Sequence, residues 1–119
     1  MEFFDTRFKL VLADSPDTGI PGVRVALYDR DINDPDDLLA TDTTDENGEI
    51  LFAYRSVQFA DFEDQPAWHT KSLPDLYVVV YDSQGREVLS TRSQVIQDHL
   101  PWLITVQVPR ELAKKHDLL

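Results

Sequence analysis

The segment 29–37 concentrates oxygen ligands at short spacing. Asp29 and Asp31 stand at alternate positions, which is how a calcium-binding loop begins, because Ca²⁺ is held by about six to eight oxygen atoms that a tightly turning backbone brings together. An EF-hand also needs a glycine and a glutamate at set positions, where this chain has Asp34 and Ala40. The segment therefore predicts either a solvated acidic turn, whose aspartates accept hydrogen bonds from backbone amides, or a calcium site of another type. We expect no cofactor other than calcium in this second alternative, whose ligands would be Asp29, Asp31, Asp34 and Asp36.

A second group with chemical potential consists of aromatic side chains in or near the irregular parts of the sequence. Tryptophan combines a large contact area with an N–H donor, which suits protein interfaces and the apolar faces of sugars. The alternative interpretation is that these rings close the open ends of the fold. The predicted binding residues are Trp68, His69, Phe59, Phe62 and Trp102.

Catalytic groups are scarce. The histidines, His69, His99 and His116, are scattered, and no nucleophile stands in a recognisable strained turn. The chain has no cysteine, which excludes disulfides and thiolate zinc sites. We therefore expect no catalytic residues and a protein that is not an enzyme.

The charge balance narrows the class of partner. The chain carries 22 acidic and 11 basic residues, a formal net charge of -11. Such a field repels phosphate backbones and anionic lipid heads, so we expect neither nucleic acid nor membrane as a partner. An acid lies near the N-terminus where a secretory signal needs a base, and no apolar run approaches the roughly 18 residues of a membrane span. A cytoplasmic location is expected, with leaderless export as the alternative.

Most of the chain alternates between apolar and polar residues with a period of two, the pattern of half-buried strands. Turn-forming residues separate the runs, among them the Asn47-Gly48 pair, which favours a type I′ hairpin. We predict one domain over 1–119, an all-β, two-sheet sandwich with its core in 6–108, a helical turn near 56–62 and a tail at 109–119 that either forms a helix or frays. The predicted strands are 6–12, 23–28, 38–44, 49–54, 76–81, 86–91 and 102–108.

Three stretches carry a family resemblance: a valine-rich strand at 22–31, a Thr-Asp-x-x-Gly turn at 43–50, and the run 74–82. Together they resemble the transthyretin-like (prealbumin-like, or carboxypeptidase regulatory-like) domains of bacterial toxin-complex and secreted proteins. The resemblance implies a seven- or eight-stranded sandwich that serves as an accessory, interaction or carbohydrate-binding unit. Two catalytic relatives, the hydroxyisourate hydrolases and the intradiol dioxygenases, have a C-terminal Tyr-Arg-Gly-Ser and a His-x-His pair respectively, and this chain has neither.

These observations predict a non-enzymatic protein-interaction or accessory module, a small component of a larger bacterial assembly, with protein as its partner. The expected contact surface is the end that carries the loop 29–37 and the segment 59–74, because binding residues concentrate on loops held by a rigid sheet. Two alternatives stay open. One is a carbohydrate or small-ligand binder assisted by calcium, and the other is a structural subunit that self-associates as a homo-oligomer through a sheet edge.

Overall fold

The predicted alternation folds as eight β-strands in two four-stranded sheets, in a computed structural model that describes residues 3–31, 35–55, 75–96 and 101–119. The two-sheet β-sandwich expected from the sequence is therefore confirmed. The predicted helical turn near 56–62 lies outside the described residues. The strands are β1 (Phe3–Leu12), β2 (Ser15–Gly19), β3 (Arg24–Asp29), β4 (Asp37–Thr43), β5 (Glu49–Arg55), β6 (Leu76–Tyr81), β7 (Glu87–Ser90) and β8 (Leu103–Val108).

The first sheet is built around β1, which pairs with β5 antiparallel, with β8 parallel, and with the short β2 at its end. The second sheet has the order β4-β3-β6-β7, with antiparallel pairs throughout. Strand β4 belongs to the second sheet and β5 to the first, so the turn between them crosses the sandwich.

The core lies between the sheets because each strand turns alternate side chains inward. In β5 the residues Ile50, Phe52 and Tyr54 are buried, while the residues between them are exposed. The Phe8 ring of β1 packs on Phe52 at a centroid distance of 5.8 Å. The Tyr54 hydroxyl lies 2.8 Å from Oγ1 of the buried Thr6, which satisfies both polar groups inside the core.

The turn 45–48 differs from the predicted type I′ hairpin. That turn needs positive φ at both central residues, whereas Gly48 has φ +77° and Asn47 has a negative φ. The reason is Asp45, whose carboxylate accepts hydrogen bonds from the backbone N–H groups of Asn47 at 2.8 Å and Glu49 at 2.9 Å. The Gly48 N–H also donates to the Asp45 carbonyl at 3.0 Å, so the chain turns on an aspartate-capped loop and not within a hairpin of one sheet.

The C-terminal segment forms a short helix, α1 (Arg110–Lys115), which begins after Pro109. Ala113 is fully buried, and Leu112 and Leu118 pack against the core. Of the two predicted alternatives for the tail, the helix is therefore the one observed. Within the described residues, no helix has the length and apolar character needed to cross a membrane.

Candidate functional site

Among the described residues, a cluster of exposed apolar side chains lies on the outer face of the first sheet. Arg7 of β1 stands opposite Leu51 of β5 and also opposite Leu103 of β8, so these three residues form one row across three strands. Their side chains point to solvent, because the residue that follows each of them, Phe8, Phe52 and Ile104 respectively, is buried in the core. Leu51 is 58% exposed, Leu103 44% and the adjacent Trp102 74%. We call this group, Arg7, Leu51, Trp102 and Leu103, the Trp102 patch.

The patch lines a shallow groove of about 390 Å³, whose rim includes Lys9, Asp45 and Glu49. The Arg7 guanidinium carbon lies 5.6 Å from the centre of the Trp102 ring, within the range of a cation–π contact. Within the described residues, neither Arg7 nor Lys9 forms an ion pair. Two cations, Arg7 and Lys9, and two carboxylates, Asp45 and Glu49, therefore line a groove with three large apolar side chains, and an apolar ligand whose acidic group reaches Arg7 would fit this arrangement.

The acidic segment around Asp36 is held by contacts within the chain. Arg92 donates from Nε to Asp36 Oδ2 at 2.8 Å and from a terminal nitrogen to Oδ1 at 3.3 Å, and the Tyr77 hydroxyl donates to the same carboxylate. The backbone N–H of Asp31 adds a hydrogen bond of 3.0 Å. The Arg92 guanidinium, with help from the Tyr77 hydroxyl, holds the pKa of Asp36 well below its usual range. Burial and the neighbouring carboxylate of Asp36 raise the pKa of Tyr77.

Two of the other predicted calcium ligands, Asp29 and Asp31, lie at the same end of the second sheet. Asp29 is buried and its carboxylate accepts the backbone N–H of Asp75 at 2.9 Å, while Asp31 is half-buried. Asp34 lies outside the described residues. Among the residues that the structure does describe, no three His, Cys, Asp or Glu side chains are grouped to hold a metal ion. The calcium site stays a prediction, and a cation there would have to displace Arg92 and Tyr77 from Asp36.

The predicted aromatic residues divide into two sets. Four of them, Trp68, His69, Phe59 and Phe62, lie outside the described residues. Trp102 lies directly before β8 of the first sheet, beside Arg7 of β1. Leu51 and Leu103 were not predicted as binding residues. The sequence nevertheless indicated that Leu51 is exposed, because Ile50 and Phe52 on either side of it fit the inward face of β5.

A buried carboxylate, Asp82, ties the C-terminal segment to the turn between β6 and β7. Its oxygens accept the backbone N–H groups of Gln84 and Arg86, both at 2.9 Å, and Nε of Arg86 at 3.1 Å. His116, just after α1, places Nδ1 2.8 Å from Asp82 Oδ2. The hydrogen bond from His116 is the main cause that lowers the pKa of Asp82 well below its usual range, and the two backbone amides add to it.

Stability should depend on pH through Asp82. Its pKa is lowered in the folded chain, so its contribution is present above the ordinary value of 3.8 and is lost as the pH falls below it. We expect Asp82→Asn to lower the urea midpoint at pH 7 and to flatten the loss of stability between about pH 5 and pH 2. Urea unfolding at pH 7 and pH 3 measures both effects, with the exposed Asp17→Asn as the control. An Asp82→Asn variant with the pH dependence of the wild type would contradict this role.

Comparison with known proteins gives information on the fold. No protein-family model and no curated protein matches the chain. Among solved structures, the chain is similar to a 9R-lipoxygenase from Cyanothece, with a TM-score of 0.56 and 20% identity over 90% of this chain. An intradiol ring-cleavage dioxygenase from Tetranychus urticae is similar at a TM-score of 0.44 and 17% identity over 92% of this chain. The chain spans 16% of the lipoxygenase chain and 63% of the dioxygenase chain.

These comparisons correct one prediction. The sequence analysis expected a protein that is not an enzyme, but the lipoxygenase, which this chain resembles in structure, is an enzyme. The physical reason is that a fold of this kind is compatible with catalytic proteins, so the lack of a recognisable motif was too weak a basis for excluding them. At these levels of identity the likeness shows the fold alone, and it assigns no activity to this chain.

Proposed function

We propose that the chain is a protein-interaction domain, an accessory part of a larger assembly, which binds its partner through the Trp102 patch. The observation that carries the proposal is the grouping of an exposed tryptophan, two exposed leucines and an arginine in one groove of a rigid sheet. Tryptophan and arginine are the residues most enriched among those that dominate binding energy at protein interfaces. We also propose that the domain is one of the transthyretin-like sandwiches that its sequence resembles.

The patch is held ready for binding by the sheet. Arg7 and Leu51 lie in mid-strand, where β1 pairs with both β5 and β8. Arg7 lies over the Trp102 ring, which restricts both side chains before a partner arrives. Side chains that are already ordered lose less conformational entropy on binding, so more of the contact energy becomes affinity.

Charge indicates the chemistry of the partner. The chain has a net charge of -11, yet Arg7 and Lys9 have no ion-pair partner in the described part of the chain. A partner segment with apolar side chains for Leu51, Leu103 and Trp102, and a carboxylate for Arg7, would match the patch. The fold's occurrence as 16% of the lipoxygenase chain also supports a role as one component of a larger protein.

The test begins with selection from a random library of 12-residue peptides displayed on phage, with the purified chain as bait. We expect the selected peptides to combine apolar residues with an acidic one. Trp102→Ala should then weaken binding of a selected peptide by about 10-fold or more, because hot-spot residues cost at least that when truncated. Its thermal melting should not change, because the side chain is 74% exposed.

A matched pair of leucines supplies the control. Leu51 in the patch and Leu38 on β4 of the second sheet are 58% and 51% exposed. Leu51→Ala should weaken peptide binding and Leu38→Ala should leave it unchanged, as measured by fluorescence anisotropy of the labelled peptide. Failure to select any peptide, or equal affinities for the wild type and Trp102→Ala, would remove the patch as the binding surface.

A further inference from the structure

Strand β8 directs half of its backbone hydrogen-bonding groups away from the sheet. It runs parallel to β1, and the carbonyls of Trp102 and Val108 accept the N–H groups of Arg7 at 3.0 Å and Ala13 at 2.9 Å. In a parallel pair, the residues that bond to one neighbour alternate with those that face the opposite side. The even-numbered residues of β8 therefore bond to β1, and the N–H and C=O groups of Leu103, Thr105 and Gln107 point outward.

In the part of the chain that the structure describes, those outward groups form an open edge. Among the described strands, β8 pairs with β1 alone. Each outward residue offers one donor and one acceptor, at the spacing that an extended backbone matches. The exposed side chains of the same three residues adjoin the outer face of the first sheet, where Leu103 belongs to the Trp102 patch.

The composition of β8 distinguishes this edge from the edges formed by the other outer strands. Folded proteins commonly protect open edges with charged residues or proline within the strand. The other outer strands follow that practice: β4 contains Asp37 and Asp42, β5 contains Glu49 and Arg55, and β7 contains Glu87. The sequence of β8, LITVQV, has no charge and no proline, and Pro101 and Pro109 flank it. The two prolines limit the edge to about six residues without closing it.

We propose that an extended segment of the partner adds to the first sheet as a strand alongside β8, with its side chains reaching the Trp102 patch. This inference rests on the proposed function and specifies how the partner binds. Strands in a sheet lie about 4.8 Å apart, so a side chain of the added strand would meet Leu103 directly. Arg7 would be about two strand spacings away, a distance that a partner glutamate and the long arginine side chain span together.

Charge favours a partner segment over a second copy of the chain. Two copies would each bring a net charge of -11 and would repel one another. Strand β8 of a second copy also has no carboxylate to offer Arg7 or Lys9. The expected occupant is an extended peptide with apolar residues at alternate positions and an acidic residue on the same face.

Amide hydrogen exchange tests the inference on the wild-type chain, with and without a peptide enriched from the random library. In the free chain, the amides of Leu103, Thr105 and Gln107 should exchange rapidly, whereas those of Ile104, Val106 and Val108 should be protected. Peptide binding should slow exchange of the three outward amides by about 10-fold or more. Outward amides already protected in the free chain, or unprotected in the complex, would overturn the proposal.

Two variants separate the edge from the patch. Thr105→Pro removes an outward N–H without removing a hydrogen bond to β1, and should weaken peptide binding by about 10-fold or more, whereas Thr105→Ala should not weaken it. If Trp102→Ala weakens binding and Thr105→Pro, shown to be folded by its melting curve, does not, the strand addition is wrong and the proposed function stands. If neither variant weakens binding, both the strand addition and the proposed function are wrong.

A free chain that light scattering finds to be a dimer, with the outward amides protected, would assign the edge to a second copy and overturn the proposal.

Discussion

Replacement of Gly48 by alanine should destabilise the folded chain by about 2 to 5 kcal/mol. Gly48 has φ +77°, a conformation that costs a residue with a side chain about 1 to 2 kcal/mol. A Cβ at this position would also lie 2.5 Å from the Leu10 carbonyl oxygen and 2.7 Å from the Ile20 nitrogen. Those backbone atoms have little freedom to move, because Ile20 N–H donates to Leu10 C=O at 2.9 Å and Leu10 N–H donates to Gly48 C=O at 2.8 Å.

Gly85 provides the matched control for this substitution. It has φ +78°, and a Cβ there would have no heavy atom within 4 Å. Gly85→Ala should therefore cost only the conformational part, about 1 to 2 kcal/mol. Equilibrium unfolding in urea measures both free energies. Equal losses for the two variants would contradict the close approach of the 45–48 turn to β1 and to the residues after β2.

Phe52→Ala should destabilise the chain by about 3 to 5 kcal/mol, since it removes a ring from the centre of the sandwich and leaves a cavity. Phe52 is 1% exposed and packs against Phe8 of the neighbouring strand. Leu51, the residue before it on β5, points to solvent, so Leu51→Ala should change the free energy of unfolding by no more than about 0.5 kcal/mol.

The two β5 variants together test the register of the first sheet. A shift of one residue would exchange the inward and outward faces of β5 and would reverse the order of the two effects. The measurement is again the free energy of unfolding in urea at pH 7. A larger loss for Leu51→Ala than for Phe52→Ala would show that the Trp102 patch contains the wrong residues.

Local alternation was sufficient to predict the sandwich and the inward face of most strands. In β5 the buried Ile50, Phe52 and Tyr54 are the residues that a period of two selects. Strand β2 was missed because its sequence, SPDTG, has the composition of a turn. It is a strand by virtue of its neighbour, since Gly19 pairs with Val11 and Ser15 with Leu12 across an irregular register.

The features that local alternation did not predict depend on contacts between distant parts of the chain. The partners of Asp36 are Tyr77 and Arg92, which lie 41 and 56 residues further along, so its spacing from other aspartates gave no indication of them. The Trp102 patch likewise requires β5 and β8 to flank β1, and strand order is not contained in the pattern of any single strand. Trp102 itself was selected as a binding residue, but the leucines beside it could be identified only once the pairing was known.

The most direct test of the proposed function is an NMR titration of the ¹⁵N-labelled chain with a peptide selected from the random library. We expect the largest shifts of amide signals at Arg7, Lys9 and Leu51 and along 102–107, with little change in β4 or β7. That result would place the peptide on the outer face of the first sheet and beside β8. Shifts concentrated on the second sheet, or at the acidic end around Asp36, would contradict the proposed binding surface.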